Sequence, residues 1–267
     1  MARGALPWRG AGARLAAVLG AIHYPAGLML AGKRVLVVGG GEVAARRVET
    51  LCAAGARVRV VAPRVSAGIA GDGVTIDRRA FTESDLDGAT LALACTDDRT
   101  VNARVAAAAR ARGIWVNVAD EPALCDFAVP AIARRGPIVV AISTSGESPA
   151  LAARLRREID PLLGDEHAAF ARLAGAARRR LQAAGSTAGG TTEDRAARLR
   201  ALVDSPLLER LREGDRAGCE AAVAAALGPE VTLADLEAAS AHPTGCAASA
   251  HPTGCAASAH PTGCAGE

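Results

Sequence analysis

Three consecutive glycines, Gly39-Gly40-Gly41, lie between a run that reads as a buried strand and a run that reads as a helix. No other stretch constrains the chain as tightly. The strand is Arg34–Val38, and its unbroken apolar run Val35–Val38 is that of a parallel strand covered on both faces. The spacing Gly39-x-Gly41-x-x-Ala44 fits the fingerprint of a dinucleotide-binding turn. Gly39 allows the tight turn, Gly41 lets backbone approach a pyrophosphate, and Ala44 lets the helix pack close to the strand. The helix that starts at Glu42 offers free N–H groups and the positive end of its dipole to an anion.

The chain continues in the alternation that builds a parallel sheet. A helix from Glu42 to about Ala54 ends at Gly55, a second strand spans Arg57–Ala62 and Pro63 stops it, and Val74–Asp77 is a short third. Phe81–Leu86 reads as a capped helical turn. Thr90–Ala94, the helix Thr100–Arg112 and the strand Ile114–Val118 follow. Ligands of such sheets sit at the carboxyl ends of the strands. Those ends carry Gly39–Gly41, Pro63-Arg64, Thr96–Asp98 and Asp120. The pattern then changes. Phe127–Ala133 and Ile138–Ser143 read as a hairpin around the turn Arg134–Pro137. Ser148 is placed to cap a helix with Pro149 at its first position. Helix-favouring sequence runs on to about Leu227, with breaks near Gly164 and over residues 185–192. The predicted fold class is therefore α/β: a Rossmann-like parallel sheet, then a small β segment, then a helical C-terminal domain. The expected boundaries are 22–125 for the nucleotide domain, 126–150 for the β segment and 151–240 for the helices.

Both ends differ in composition from this body. Residues 1–21 are rich in Ala, Gly and Arg; residues 14–22 look like a short signal-peptide core, but an extended start is the favoured reading, and no order is expected there. From His242 the unit His-Pro-Thr-Gly-Cys-Ala-Ala-Ser-Ala repeats, begins again at His251, and starts a third time at His260. Its Pro, Gly and small residues leave nothing to bury, so 241–267 is expected to be a disordered tail, with metal binding the lesser alternative. The formal net charge of +3 gives no reason to expect nucleic acid as a partner. No apolar run is long enough for a membrane span. The scattered Cys52, Cys95, Cys125 and Cys219 form no CxxC pair and fit small buried residues in a reducing cytoplasm.

Several motifs in order resemble one family. Gly32–Arg47, Cys95–Asn102, Val116–Asp120, Phe127–Ile132 and Val140–Pro149 look like precorrin-2 dehydrogenase, the nucleotide-binding module of siroheme synthases. The resemblance runs from about Tyr24 to Leu163 and weakens beyond. It implies NAD-dependent oxidation of precorrin-2 to sirohydrochlorin, with Fe(II) insertion as a second activity in some members. It also implies a homodimer with the β segment and the helical domain at its interface.

Carried over by position, the resemblance gives Asp120 the catalytic role; read from residues alone, Asp120 is equally a turn aspartate before Pro122. Gly39, Gly41, Glu42, Val43, Pro63, Arg64, Thr96 and Asp97 are the cofactor-binding candidates. Thr96, Asp97 and Asp98 close the far side of the cofactor, though the two acids, Asp97 and Asp98, read as readily as an ordinary loop. The acidic residue expected about 20 positions after the glycines, for the ribose 2′-OH, is missing: the second strand ends in Ala62-Pro63-Arg64. By that rule Arg64 permits NADP, whereas the resemblance favours NAD. The polycarboxylated substrate calls for hydroxyls and cations. Ser143, Thr144, Ser145 and Arg154 are the candidates, with Arg134, Arg135, Arg156 and Arg157 as further arginines; turn hydroxyls and a helix-surface arginine are the plain alternatives. His23 and His167 stand alone in sequence, so no fixed metal site is expected. Two rivals remain. An NAD(P)-sensing regulatory module without chemistry needs the glycines but neither Asp120 nor the Ser143–Pro149 loop. A dehydrogenase of a smaller acid fits the arginines but not the later motifs.

Overall fold

The computed structural model describes residues 23–184 and 191–241. The extension 1–21 and the repeat from His242 onward, both expected to lack order, lie outside the described residues, as does most of the expected break at 185–192. Ala241 itself is the C-cap of the last helix.

Five strands make one parallel sheet: β1 (Arg34–Val38), β2 (Arg57–Val61), β3 (Val74–Asp77), β4 (Leu91–Ala94) and β5 (Trp115–Val118), in the order β3-β2-β1-β4-β5. Val38 is level with Val61 on one side and Ala94 on the other, Val61 with Asp77, and Ala94 with Val118. All five strands thus end in register, and the turns that follow them share one rim. The chain runs from β1 outward through β2 and β3, then restarts beside β1 with β4. The reversal between β1 and β4 is where an open α/β sheet leaves its crevice.

Period-2 alternation splits the strand side chains between two cores. Leu36 and Val38 face the helix α2 (Arg99–Ala111) through Val105, Ala106 and Ala109. Val35 and Val37 face the helix α1 (Glu42–Ala53) through Ala44, Val48 and Leu51. Each helix ends as the sequence implies, on a left-handed glycine: Gly55 after α1 (φ 74°) and Gly113 after α2 (φ 68°). The turn Glu83–Leu86 is capped by Thr82, whose side chain and backbone exchange bonds with Asp85. Asp85 is buried, yet it takes ion pairs from Arg59 and Arg79. The Arg79 guanidinium holds its carboxyl down at about 2, against the opposing effect of burial.

β5 is an edge strand, and its free side is sealed by the residues that follow it. The Asp126 N–H donates to Val116 O (2.8 Å), and Asp126 Oδ2 accepts from Val116 N (3.1 Å). The Cys125 sulfur accepts from Val118 N at 3.2 Å. The edge thus offers no bare N–H row there for another strand to pair with.

The hairpin β6 (Ala131–Arg135) and β7 (Ile138–Ile142) is tighter than the sequence reading. Its turn is Gly136-Pro137 alone, and Arg134 and Arg135 belong to the strand. β6 starts at Ala131 rather than Phe127, because Pro130 has no N–H for a ladder. Helix α3 (Pro149–Ile159) packs on the hairpin, with Pro149 at its first position and Ser148 accepting from Leu151 N.

Among the described residues five helices follow: α4 (Asp165–Ala184), α5 (Thr192–Val203), α6 (Leu207–Glu213), α7 (Arg216–Leu227) and α8 (Leu233–Ser240). They share a core of Leu173, Leu202, Leu207, Val223, Leu227 and Leu236. The break at Gly164 falls where expected. Those at Ser205-Pro206 and at Gly214 (φ 70°) were not marked by the sequence reading. Among the described residues, no helix is long and apolar enough to cross a membrane.

Candidate active site

The first wall of the site is the glycine turn. Gly39 has φ 125°, and a β-carbon on it would fall inside the Cys95 carbonyl. Gly40 is equally fixed, because a β-carbon there would collide with the Arg64 carbonyl. The fingerprint treats this middle position as free, so sequence reasoning missed Gly40. Ser66 N donates to Gly40 O at 2.8 Å and clamps the turn after β2 onto the glycines. Pro63 and Arg64 are exposed in that turn. Gly41 differs from both: nothing lies within 4 Å of the position its β-carbon would take. It is the N-cap of α1 and supplies no side-chain cap. Glu42 and Val43 open the helix with exposed side chains. No side-chain cap meets the first N–H groups of α1, and the open space beside Gly41 fits a pyrophosphate.

The second wall follows β4. Asn102, buried on α2, donates to Thr96 O (2.9 Å), and its Oδ1 accepts from the Thr96 hydroxyl (2.7 Å). The Thr96 hydroxyl is thus bound within its own loop, with its backbone at the rim. Asp98 Oδ1 accepts from Thr100 N (2.8 Å) and caps α2, the ordinary-loop alternative for this acid. Asp97 is exposed beside it. Asn102 is the organiser of this turn and was not among the predicted site residues; its spacing of six from Thr96 was the available signal.

Asp120 stands on the same rim, after β5. It is exposed and has φ 59°, a left-handed backbone that a non-glycine residue adopts rarely. Ala119 N donates to Ala94 O at 2.9 Å, so this turn is tied to the end of β4. Between the two turns lies Cys95. Burial pushes its thiol up to about 11; the Arg47 cation works against that shift and the Asp120 carboxylate adds to it. Arg47 also opposes the upward shift that burial imposes on Cys125. A half-buried guanidinium on α1 therefore shares the electrostatic field at this end of the sheet, and sequence reasoning did not single it out.

The predicted substrate residues form a separate cluster after β7. Ser145 N donates to Ser143 Oγ (3.1 Å), and Ser148 N donates to Thr144 Oγ1 (3.0 Å). Each of these two hydroxyls accepts from a backbone N–H. Ser145, like Asp120, has a left-handed backbone, with φ 53°. The cluster is joined to the start of the nucleotide domain by His23: its N–H donates to Ser145 Oγ (3.3 Å), and its Nδ1 lies 3.0 Å from Ser143 Oγ. His23 is thus not isolated in space. No hydrogen bond joins Asp120 to this loop among the described residues. Arg154, one turn into α3, is exposed and pairs with Glu158 at 2.7 Å. Among the described residues there is no group of three or more His, Cys, Asp or Glu side chains arranged to hold a metal.

Comparison with known proteins agrees with this layout. Residues 27–131 match the family model described as NAD(P)-binding, and residues 135–160 match the central segment of sirohaem biosynthesis proteins. The siroheme synthase of Ectopseudomonas mendocina is 47% identical over 135 residues, covering 49% of this chain and 29% of that one. The siroheme synthase of Azotobacter vinelandii is 46% identical over 155 residues, covering 56% of this chain and 32% of its own. The matched part is thus about a third of the length of these curated relatives. Among solved structures, the precorrin-2 dehydrogenase SirC superposes with a TM-score of 0.58 at 28% identity, covering 72% of this chain and 96% of SirC. With the glycine turn, the sheet order, the hairpin and the helical segment all in place, the chain is similar to siroheme synthases over the matched part and to the precorrin-2 dehydrogenase SirC in fold.

Proposed function

We propose that this protein oxidises precorrin-2 to sirohydrochlorin with NAD. The observation that carries the reading is the shared rim: Asp120 sits on a turn level with the glycine turn, on the side of the β1–β4 reversal away from Arg64. The relatives' names supply the substrate, and the Ser143–Ser145 hydroxyls suit its carboxylates.

The reaction removes a hydride and a proton as the macrocycle gains a double bond. A bound nicotinamide dinucleotide supplies the hydride acceptor. The chain's part is to bind, orient and take the proton. Gly39 and Gly40 hold the turn shut against the Cys95 and Arg64 carbonyls, and the uncapped start of α1 at Gly41 receives phosphate. The Asp120 carboxylate accepts the proton on one of its oxygens. The bond from Ala119 N to Ala94 O fixes the turn that presents it. Ser143, Thr144 and Ser145 orient the macrocycle by donating to its carboxylates, and Arg154 adds charge at α3.

We assign NAD rather than NADP on the family resemblance, against the bare sequence rule at Arg64. Fe(II) is assigned as a second substrate, inserted into sirohydrochlorin at the same site. The protein is assigned as a homodimer: β6 and β7 form a sheet of only two strands with Val139 exposed, and such a hairpin gains from a partner. The free thiols Cys52, Cys95, Cys125 and Cys219 suit a cytoplasmic setting.

Incubation with precorrin-2 and NAD tests the activity, read as NADH formation and the sirohydrochlorin spectrum. Turnover with NAD is expected. Absence of turnover with either NAD or NADP sinks the enzyme reading and leaves the regulatory module. Fe(II) added to sirohydrochlorin without NAD tests chelation separately.

A further inference from the structure

We propose that His23 is a positioning residue that turns the Ser143 hydroxyl toward a substrate carboxylate; this rests on the activity proposed above. His23 lies 120 residues from Ser143 in sequence, and its ring nitrogen meets that hydroxyl at 3.0 Å. Its main-chain N–H holds Ser145 at the same time. The segment between His23 and β1 is exposed from Tyr24 to Met29 and is anchored by the buried Leu30, whose carbonyl accepts from Lys33 N at 2.9 Å. His23 therefore ties the hydroxyl loop to the strand that leads into the glycine turn.

Proton accounting gives the tie a function. A serine oxygen has one O–H and two lone pairs. One lone pair of Ser143 is taken by Ser145 N–H at 3.1 Å. With the imidazole proton on Nδ1, the ring donates to the second lone pair, and the Ser143 O–H is left to point outward. With Nδ1 bare, the Ser143 proton is consumed by the ring. A carboxylate accepts only, so its arrival at the loop selects the first arrangement. The same set of bonds holds Ser145 in its left-handed backbone, which otherwise costs conformational free energy.

The test is steady-state kinetics of the full chain with precorrin-2 and NAD. His23→Ala is expected to raise KM for precorrin-2 about tenfold while kcat and KM for NAD stay within about twofold. His23→Asn, whose side-chain amide N–H takes the place of Nδ1–H, restores KM; His23→Gln, whose amide sits where Nε2 was, does not. Ser143→Ala raises KM by a similar factor, and the double variant is no worse than either single one. Wild-type protein without turnover sinks the proposed activity and this inference with it. Wild-type turnover with an unchanged His23→Ala KM, an equal loss in KM for NAD, or additive effects in the double variant sinks the inference alone. If His23→Ala fails to fold, the contrast between His23→Asn and His23→Gln decides.

Discussion

Asp126 grips both backbone polar groups of Val116: its N–H donates to the Val116 carbonyl at 2.8 Å and its carboxylate accepts the Val116 N–H at 3.1 Å. The same carboxylate pairs with Arg110 at 3.1 Å, with both side chains largely buried. Removing it takes the acceptor from an edge-strand N–H and the ion pair from Arg110, which keeps its bond to Leu124 O. Asp126→Ala is expected to cost about 2 kcal/mol. Denaturant unfolding followed by circular dichroism reads this, and Asp126→Asn, which keeps one acceptor oxygen, should lose less. An unchanged midpoint for Asp126→Ala would refute the assignment.

Asp85 ties acid stability to one buried carboxyl. Its pKa is lowered from the ordinary 3.8 to about 2 in the folded state, by Arg79 above all. A depressed carboxyl adds stability that is complete above the unfolded value and drains away as pH falls through the folded one. The window is therefore from about pH 4 down to about pH 2. The shift corresponds to about 2 kcal/mol near neutrality. Asp85→Asn should lower the unfolding free energy at pH 7 by about that amount and flatten its decline in acid, measured as midpoint against pH. A variant with the wild-type acid profile would remove Asp85 as the cause.

Gly40 and Gly41 should separate folding from binding. Gly40→Ala drives a methyl into the Arg64 carbonyl and is expected to destabilise the free protein. Gly41→Ala meets nothing in the free protein, so its melting temperature should barely move. Its methyl instead occupies the place where the dinucleotide approaches, and the Kd for NAD should rise at least about tenfold. Paired thermal melts and NAD titrations read both effects. Tight NAD binding by Gly41→Ala would mean that the pyrophosphate lies elsewhere.

Asp120 should show a trade of stability for chemistry. Its φ of 59° suits glycine better than alanine. Asp120→Gly and Asp120→Ala are both expected to lose turnover with NAD binding intact, but the glycine variant should be more stable than the alanine one by about 1 kcal/mol. Asp120→Asn keeps the shape and also loses turnover. A variant lacking the carboxylate that turns over at the wild-type rate would take Asp120 out of the mechanism.

What the sequence disclosed follows from how local the physics is. The strands are legible because apolar runs buried on both faces leave few alternatives, and Gly55 and Gly113 mark helix ends by a backbone only glycine takes cheaply. Asp120 is legible as a strand-end residue, though its left-handed turn is not. Thr96 is a cofactor candidate in sequence; in the fold its hydroxyl is bound to Asn102, whose burial only the packed helix reveals. Gly40 depends on a carbonyl from the next strand's turn, and His23 on a loop 120 residues away. Arg154 stands out in sequence by its charge; in the fold Glu158, one turn on, pairs with it.

Gly41 leaves α1 without a cap of its own. A helix begun this way is completed from solution, by the anion that satisfies its first N–H groups. Binding then stabilises the fold by RT ln(1 + [L]/Kd), about 2.7 kcal/mol at a hundredfold excess over Kd. A dinucleotide bound at Gly41 would thus act on the fold as a missing cap does, and opening the first βαβ unit would require its release.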